Sequence, residues 1–104
     1  MIFKEDIKQR IETDFNEKSD EAFEILSNAV SETDYLKTDR VIRCIIFLAN
    51  GDLDKLRKYI DNALFDTRDV MFWAEYEKPF KISKHKRVRD FNKTFENCTD
   101  NVKE

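Results

Sequence analysis

A chain of 104 residues with 9 Phe but one Gly and one Pro has material for a single core, and too few turn formers for a sandwich or barrel of that size. Charged residues make up 39% of it, mean hydropathy is -0.71, and the longest apolar run, Val41–Ala49, is interrupted by Arg43, so no membrane span is read. The opening MIFKEDIKQR turns charged after three residues, unlike a signal peptide, and the cytoplasm is the expected compartment.

Phe3, Ile7, Ile11 and Phe15 stand four apart and predict a first helix from about Phe3 to Phe15. Asn16 to Lys18 breaks that pattern. Ser19 then reads as an N-cap, with Asp20 and Glu21 in a first turn whose dipole favours acids. The second helix runs to about Glu32 and turns Ala22, Phe23, Leu26, Ala29 and Val30 inward. Thr33 to Lys37 is expected to be a short loop, and Thr38 or Asp39 to cap the helix after it.

The next stretch, 41–50, reads as the central apolar helix. Val41, Ile42, Cys44, Ile45, Ile46, Leu48 and Ala49 cover most of its circumference, so it needs neighbours on several sides. Its polar strip carries Asp39, Arg40, Arg43 and Asn50, with the ring of Phe47 among them. Gly51 ends the helix as a residue able to take positive φ, and Asp52 caps the next one at once, which makes a tight helical hairpin. Leu53, Leu56, Ile60, Ala63 and Leu64 form the apolar face of helix four.

Asp66 caps a fifth helix over about Thr67 to Glu77, with Asp69 in the place of a capping-box acid. Val70, Met71, Trp73 and Ala74 read as its core side. Phe72 and Tyr76 lie opposite, between Arg68, Asp69 and Glu75. Pro79 stops this helix, and the composition changes there. Residues 1–77 carry net charge -7 and residues 78–104 net +4, consistent with the total of -3.

The chain is therefore divided into a helical domain, 1–77, and a basic C-terminal extension, 78–104, partly helical or disordered. The extension has Phe80 and Ile82 in an extended pattern and Val88, Phe91 and Phe95 at helical spacing. One alternative docks it on the domain, with Phe80 and Ile82 over Phe72 and Tyr76.

Candidate chemistry is sparse. His85 sits among Lys84, Lys86 and Arg87 with no nearby carboxylate to orient it. Cys44 reads as a buried structural thiol and Cys98 as an exposed one, without metal-like spacing. A single glycine leaves no Gly-rich phosphate cradle. No catalytic residue, cofactor or metal is assigned, and the chain is not read as an enzyme.

The composition and patterning point to an all-α compact bundle of about five helices acting as a protein-interaction module. An adaptor, immunity protein or regulatory subunit would fit, with a protein partner or self-association as a dimer and no membrane contact. The candidate surface is Arg40, Arg43 and Phe47 on the central helix and Arg68, Phe72 and Tyr76 on helix five, because arginines and rings are what interface hot spots are made of. A nucleic-acid-binding regulator using Lys84, Lys86, Arg87 and Arg89 ranks behind it, since the acidic body repels a polyanion. A small-molecule binder or enzyme with an inter-helix pocket of Trp73, Tyr76, Arg43 and Glu75 ranks third.

Overall fold

The computed structural model describes residues 3–32, 38–77 and 86–99. Five α-helices succeed one another: α1 Glu5–Phe15, α2 Ser19–Glu32, α3 Asp39–Ala49, α4 Leu53–Phe65 and α5 Thr67–Glu75. A 3-10 turn, Asn16–Lys18, joins α1 to α2. Two two-residue strands, β1 Tyr76–Glu77 and β2 Lys86–Arg87, pair antiparallel, with Tyr76 opposite Arg87. The fold is an all-α bundle with this short ladder at one end.

α3 is its axis. Val41, Ile42, Cys44, Ile45, Ile46 and Ala49 are all buried, and α1, α4 and α5 pack around them while α2 leans on α1 and α4. The flanking helices contribute the rows expected of them: Ile7, Ile11 and Phe15 from α1, Ala22, Leu26 and Val30 from α2, Leu56, Ile60 and Ala63 from α4. Each large buried side chain is worth roughly 1.5–3 kcal/mol against exposure, so this cluster is the main source of cohesion.

Local signals fix the helix ends. The Thr38 hydroxyl accepts the Val41 amide at 3.3 Å, and the Asp52 carboxylate accepts the amides of Asp54 and Lys55 at 2.8 and 3.2 Å. Between them Asn50 sits in the left-handed region and Gly51 at φ 81°, reversing the chain from α3 into α4. Ser19 is the first residue of α2 rather than its cap, because the 3-10 turn runs straight into the helix.

Several expectations are corrected. α5 stops at Glu75, two residues early, because Tyr76 and Glu77 are extended and paired with β2. Trp73 is 46% exposed, whereas Glu75 is 0% exposed. The buried face of α5 runs through Val70, Met71, Ala74 and Glu75, and at 100° per residue Trp73 falls beyond its edge. Leu64 is exposed too.

Cys98 is buried, its thiol donating to the Phe95 carbonyl at 3.4 Å. Residues 88–99 form loop and turns, not helix: the Asp90 carboxylate takes the Asn92 amide in an Asx turn, and the Asp90 amide is committed to the Cys98 carbonyl. The loop expected over Thr33–Lys37 and the placement of Phe80, Ile82, Lys84 and His85 lie outside the described residues.

A Cβ built on Gly51 would stand 2.5 Å from the Asp14 carbonyl oxygen at the end of α1, on a backbone already at positive φ. Gly51→Ala is expected to destabilise the protein by roughly 2–4 kcal/mol. The measurement is the urea midpoint; an unchanged midpoint would mean that α1 and the α3–α4 turn separate at no cost.

Candidate functional site

The polar strip of α3 is covered by residues 88–99. Arg43 is only 4% exposed, an unusual position for a guanidinium, and it is satisfied on every side the structure describes. Its Nε and Nη2 donate to the two carboxylate oxygens of Asp6 on α1, at 2.9 and 3.0 Å, and its Nη1 donates to the Phe91 carbonyl at 3.1 Å. Asp6 in turn accepts the Phe95 amide at 3.1 Å.

One turn earlier Arg40 makes a second fork. Its Nε and Nη2 donate to Glu75 at 3.0 and 2.6 Å, and the same carboxylate accepts the Phe91 amide at 2.9 Å. The Glu75 carbonyl also takes the amides of Val88 and Arg89. Bidentate arginine–carboxylate pairs hold orientation as well as charge, so two such pairs fix the groove that seats this segment.

Rings complete the seating. Phe91 is fully buried, 5.4 Å from Phe47 and 5.6 Å from Phe95, centroid to centroid. The guanidinium of Arg89 lies 4.3 Å over Phe47 and donates to the Ala74 carbonyl, and that of Arg10 lies 4.6 Å over Phe95.

Burial pushes the Asp6 carboxyl up, but the hydrogen bonds from Arg43 and the Phe95 amide, with the Arg43 charge, outweigh it and hold the group below the ordinary aspartate value. The Glu75 carboxylate, accepting its hydrogen bonds, raises Arg40 against the opposing effect of burial.

On the outer side of α5 the arrangement is open. Phe72 and Tyr76 stack on one another at 5.0 Å, and Trp73 meets Tyr59 edge-on at 6.1 Å. Arg68 is well exposed and folds back on the Asp66 cap, whose carboxyl it lowers through their hydrogen bonds. Among the described residues the exposed large apolar side chains are Leu64, Phe65, Phe72 and Trp73, with Phe65 at 90%. All four fall within the α4–α5 hairpin.

The six residues of the predicted surface thus part company: Arg43 and Phe47 face residues 88–99 and Arg40 pairs with Glu75, while Arg68, Phe72 and Tyr76 lie on the outer side of α5. Of the four basic residues, Arg89 is engaged with Ala74 and Phe47, Lys86 and Arg87 have a described backbone in β2, and Lys84 lies outside the described residues. The imagined pocket divides in the same way, with Arg43 and Glu75 turned to Phe91 and Trp73 and Tyr76 to the outer face.

An open polar cleft of about 710 Å³ lies between the starts of α1 and α3 and residues 92–96, lined by Lys4, Gln9, Thr38, Asn92 and Thr94 among others. The hydroxyl of Thr94 is buried there without a hydrogen-bond partner. Among the described residues no group of three His, Cys, Asp or Glu side chains is placed to hold a metal ion.

Asp6, Glu75 and Phe65 were not singled out by sequence reasoning as site residues, save Glu75 in the imagined pocket. For Glu75 a signal existed, since it stands four residues after Met71 on the buried side. For Asp6 there was none, because its partners lie 37 and 89 positions away. Comparison of the chain with protein-family models, curated proteins and solved structures finds no match.

Arg40→Ala would strand a fully buried carboxylate and is expected to cost roughly 3–5 kcal/mol in denaturant unfolding. Replacing both partners by leucine should recover most of that loss. A second expectation concerns pH. Because the folded pKa of Asp6 is depressed, its contribution is present above the ordinary aspartate pKa of about 3.9 and is lost as pH falls through the folded value. Asp6→Asn should therefore be clearly less stable than the parent at pH 7, and the gap should close toward pH 2. A gap that widened on acidification would reverse the sign assigned to Asp6.

Proposed function

We propose that the chain is a small protein-interaction module of the adaptor, immunity or regulatory-subunit kind, and that it meets its partner through the outer face of the α4–α5 hairpin. The observation that carries this reading is that Leu64, Phe65, Phe72 and Trp73, the large apolar side chains exposed among the described residues, all belong to this hairpin, with a phenylalanine almost wholly in water. Scattered exposed apolar residues need no explanation, but large rings gathered on one hairpin incur a solvation cost that a contact would remove. Tyr59, Arg68 and Tyr76 border them and add the amphipathic and planar groups that interfaces favour. The α3 strip is left out of this contact, because Arg40, Arg43 and Phe47 are spent on holding the molecule's own chain.

The test is a double variant, Phe65→Ser with Trp73→Ser, in the full chain. Its stability is expected to fall by no more than roughly 2–3 kcal/mol, nearly all of it from Trp73, which is half-covered against Tyr59 while Phe65 is 90% exposed. In parallel capture from the source lysate, it should lose specific proteins that the parent retains. Identical captured sets, or a collapse of stability, would remove this face from the account.

A further inference from the structure

The two arginine forks are built between residues of the helical body. Arg40 pairs with Glu75 and Arg43 with Asp6, and none of the four belongs to residues 88–99. What Glu75, Arg43 and Asp6 take from that segment is main chain: the amides of Phe91 and Phe95 and the carbonyl of Phe91. The body thus holds preset donors and acceptors beside a ring-sized site at Phe47. Extended peptides are recognised by the same division of labour, main chain for affinity and a buried side chain for specificity.

The segment is also a unit in itself. The Asp90 amide closes on the Cys98 carbonyl at 2.8 Å, with further turn bonds from Lys93 to Asp90 and from Asn97 to Thr94. No disulfide joins Cys44 to Cys98, so none ties the segment to the body. Its attachment to α5 passes through the two-residue ladder and then eight sequence positions, 78–85, which span at most roughly 27 Å when extended. Residues 88–99 are themselves neutral, Arg89 and Lys93 against Asp90 and Glu96, so whichever molecule supplies the segment it is held by main-chain bonds and the Phe91 ring rather than by net charge.

From these features we infer that the groove between α1, α3 and the end of α5 is an exchangeable docking site, and that its second occupant is residues 88–99 of another copy of this chain. Exchange re-forms the contacts between segment and body, with the Tyr76–Arg87 ladder, between two molecules instead of one, while the two forks stay within each body. It is independent of the partner face on α4–α5, which it leaves open.

The experiment uses the full-length chain carrying Phe91→Ala, with its fold checked by circular dichroism, and a fluorescent peptide of residues 86–99 as probe. The peptide should bind it saturably at one to one, and roughly tenfold or more tighter than it binds the parent, whose groove is filled at high effective concentration. Phe91→Ala in the peptide should abolish binding. No saturable binding to the folded variant would overturn the inference. Equal binding by a scrambled peptide, or by an unrelated aromatic one, would also overturn it, by showing a groove not selective for a second copy.

Should Phe91→Ala fail to fold, the parent decides the matter after refolding at millimolar and at micromolar concentration, with light scattering as the readout. A dimer formed only by the concentrated route and slow to dissociate on dilution supports exchange, and monomer from both routes refutes it.

Discussion

A guanidinium buried in the most apolar helix is the constraint to which the rest of the molecule answers. Arg43 sits on α3 between Ile42 and Cys44, and an unpaired charge there would cost several kcal/mol. Asp6 meets two of its nitrogens and Phe91 a third. Satisfying that one side chain sets the position of α1 against α3, brings residues 88–99 across both, and leaves the guanidinium almost no contact with solvent. Arg40 and Glu75 repeat the arrangement one turn away and pin the end of α5 into the same joint.

Much of this was legible from residue order. Apolar spacing located five helices, Thr38, Asp52 and Asp66 marked three starts, and Gly51 marked the reversal, because each of these depends on neighbours within one or two turns. What escaped depends on distant partners. Arg40 and Arg43 were recognised as unusual on an oily helix, yet whether they faced a stranger or the chain itself turned on carboxylates on other helices. Phe91 and Phe95 have helical spacing without a helix, since Asp90 diverts the backbone into an Asx turn and the groove takes up the amides a helix would have used. Trp73 and Glu75 exchanged their expected places because a large apolar side chain was preferred to an acid for the core, when the wheel favoured the acid.

The two sides of α5 are used differently, and the functional reading rests on that division. Its inner side, through Glu75, is consumed by internal cohesion. Its outer side, with the neighbouring end of α4, keeps large rings in water. Rings and arginines, the groups that marked α3 as a candidate surface, serve there as mortar. The corresponding groups on the hairpin remain on the outside, which is why the proposed contact is placed there.

The bond from the Phe95 amide to Asp6 spans 89 positions of a 104-residue chain. α1 and α3 are synthesised before Phe91 and Phe95, so a chain not yet extended to those residues carries Arg43 with one acceptor missing and Phe47 uncovered. Closure of the molecule is therefore a late, non-local event rather than a helix-by-helix accretion, and loops of that length are slow to find their ends. Until then Phe47 and the Arg43 guanidinium lack the cover that Phe91 gives them in the finished fold.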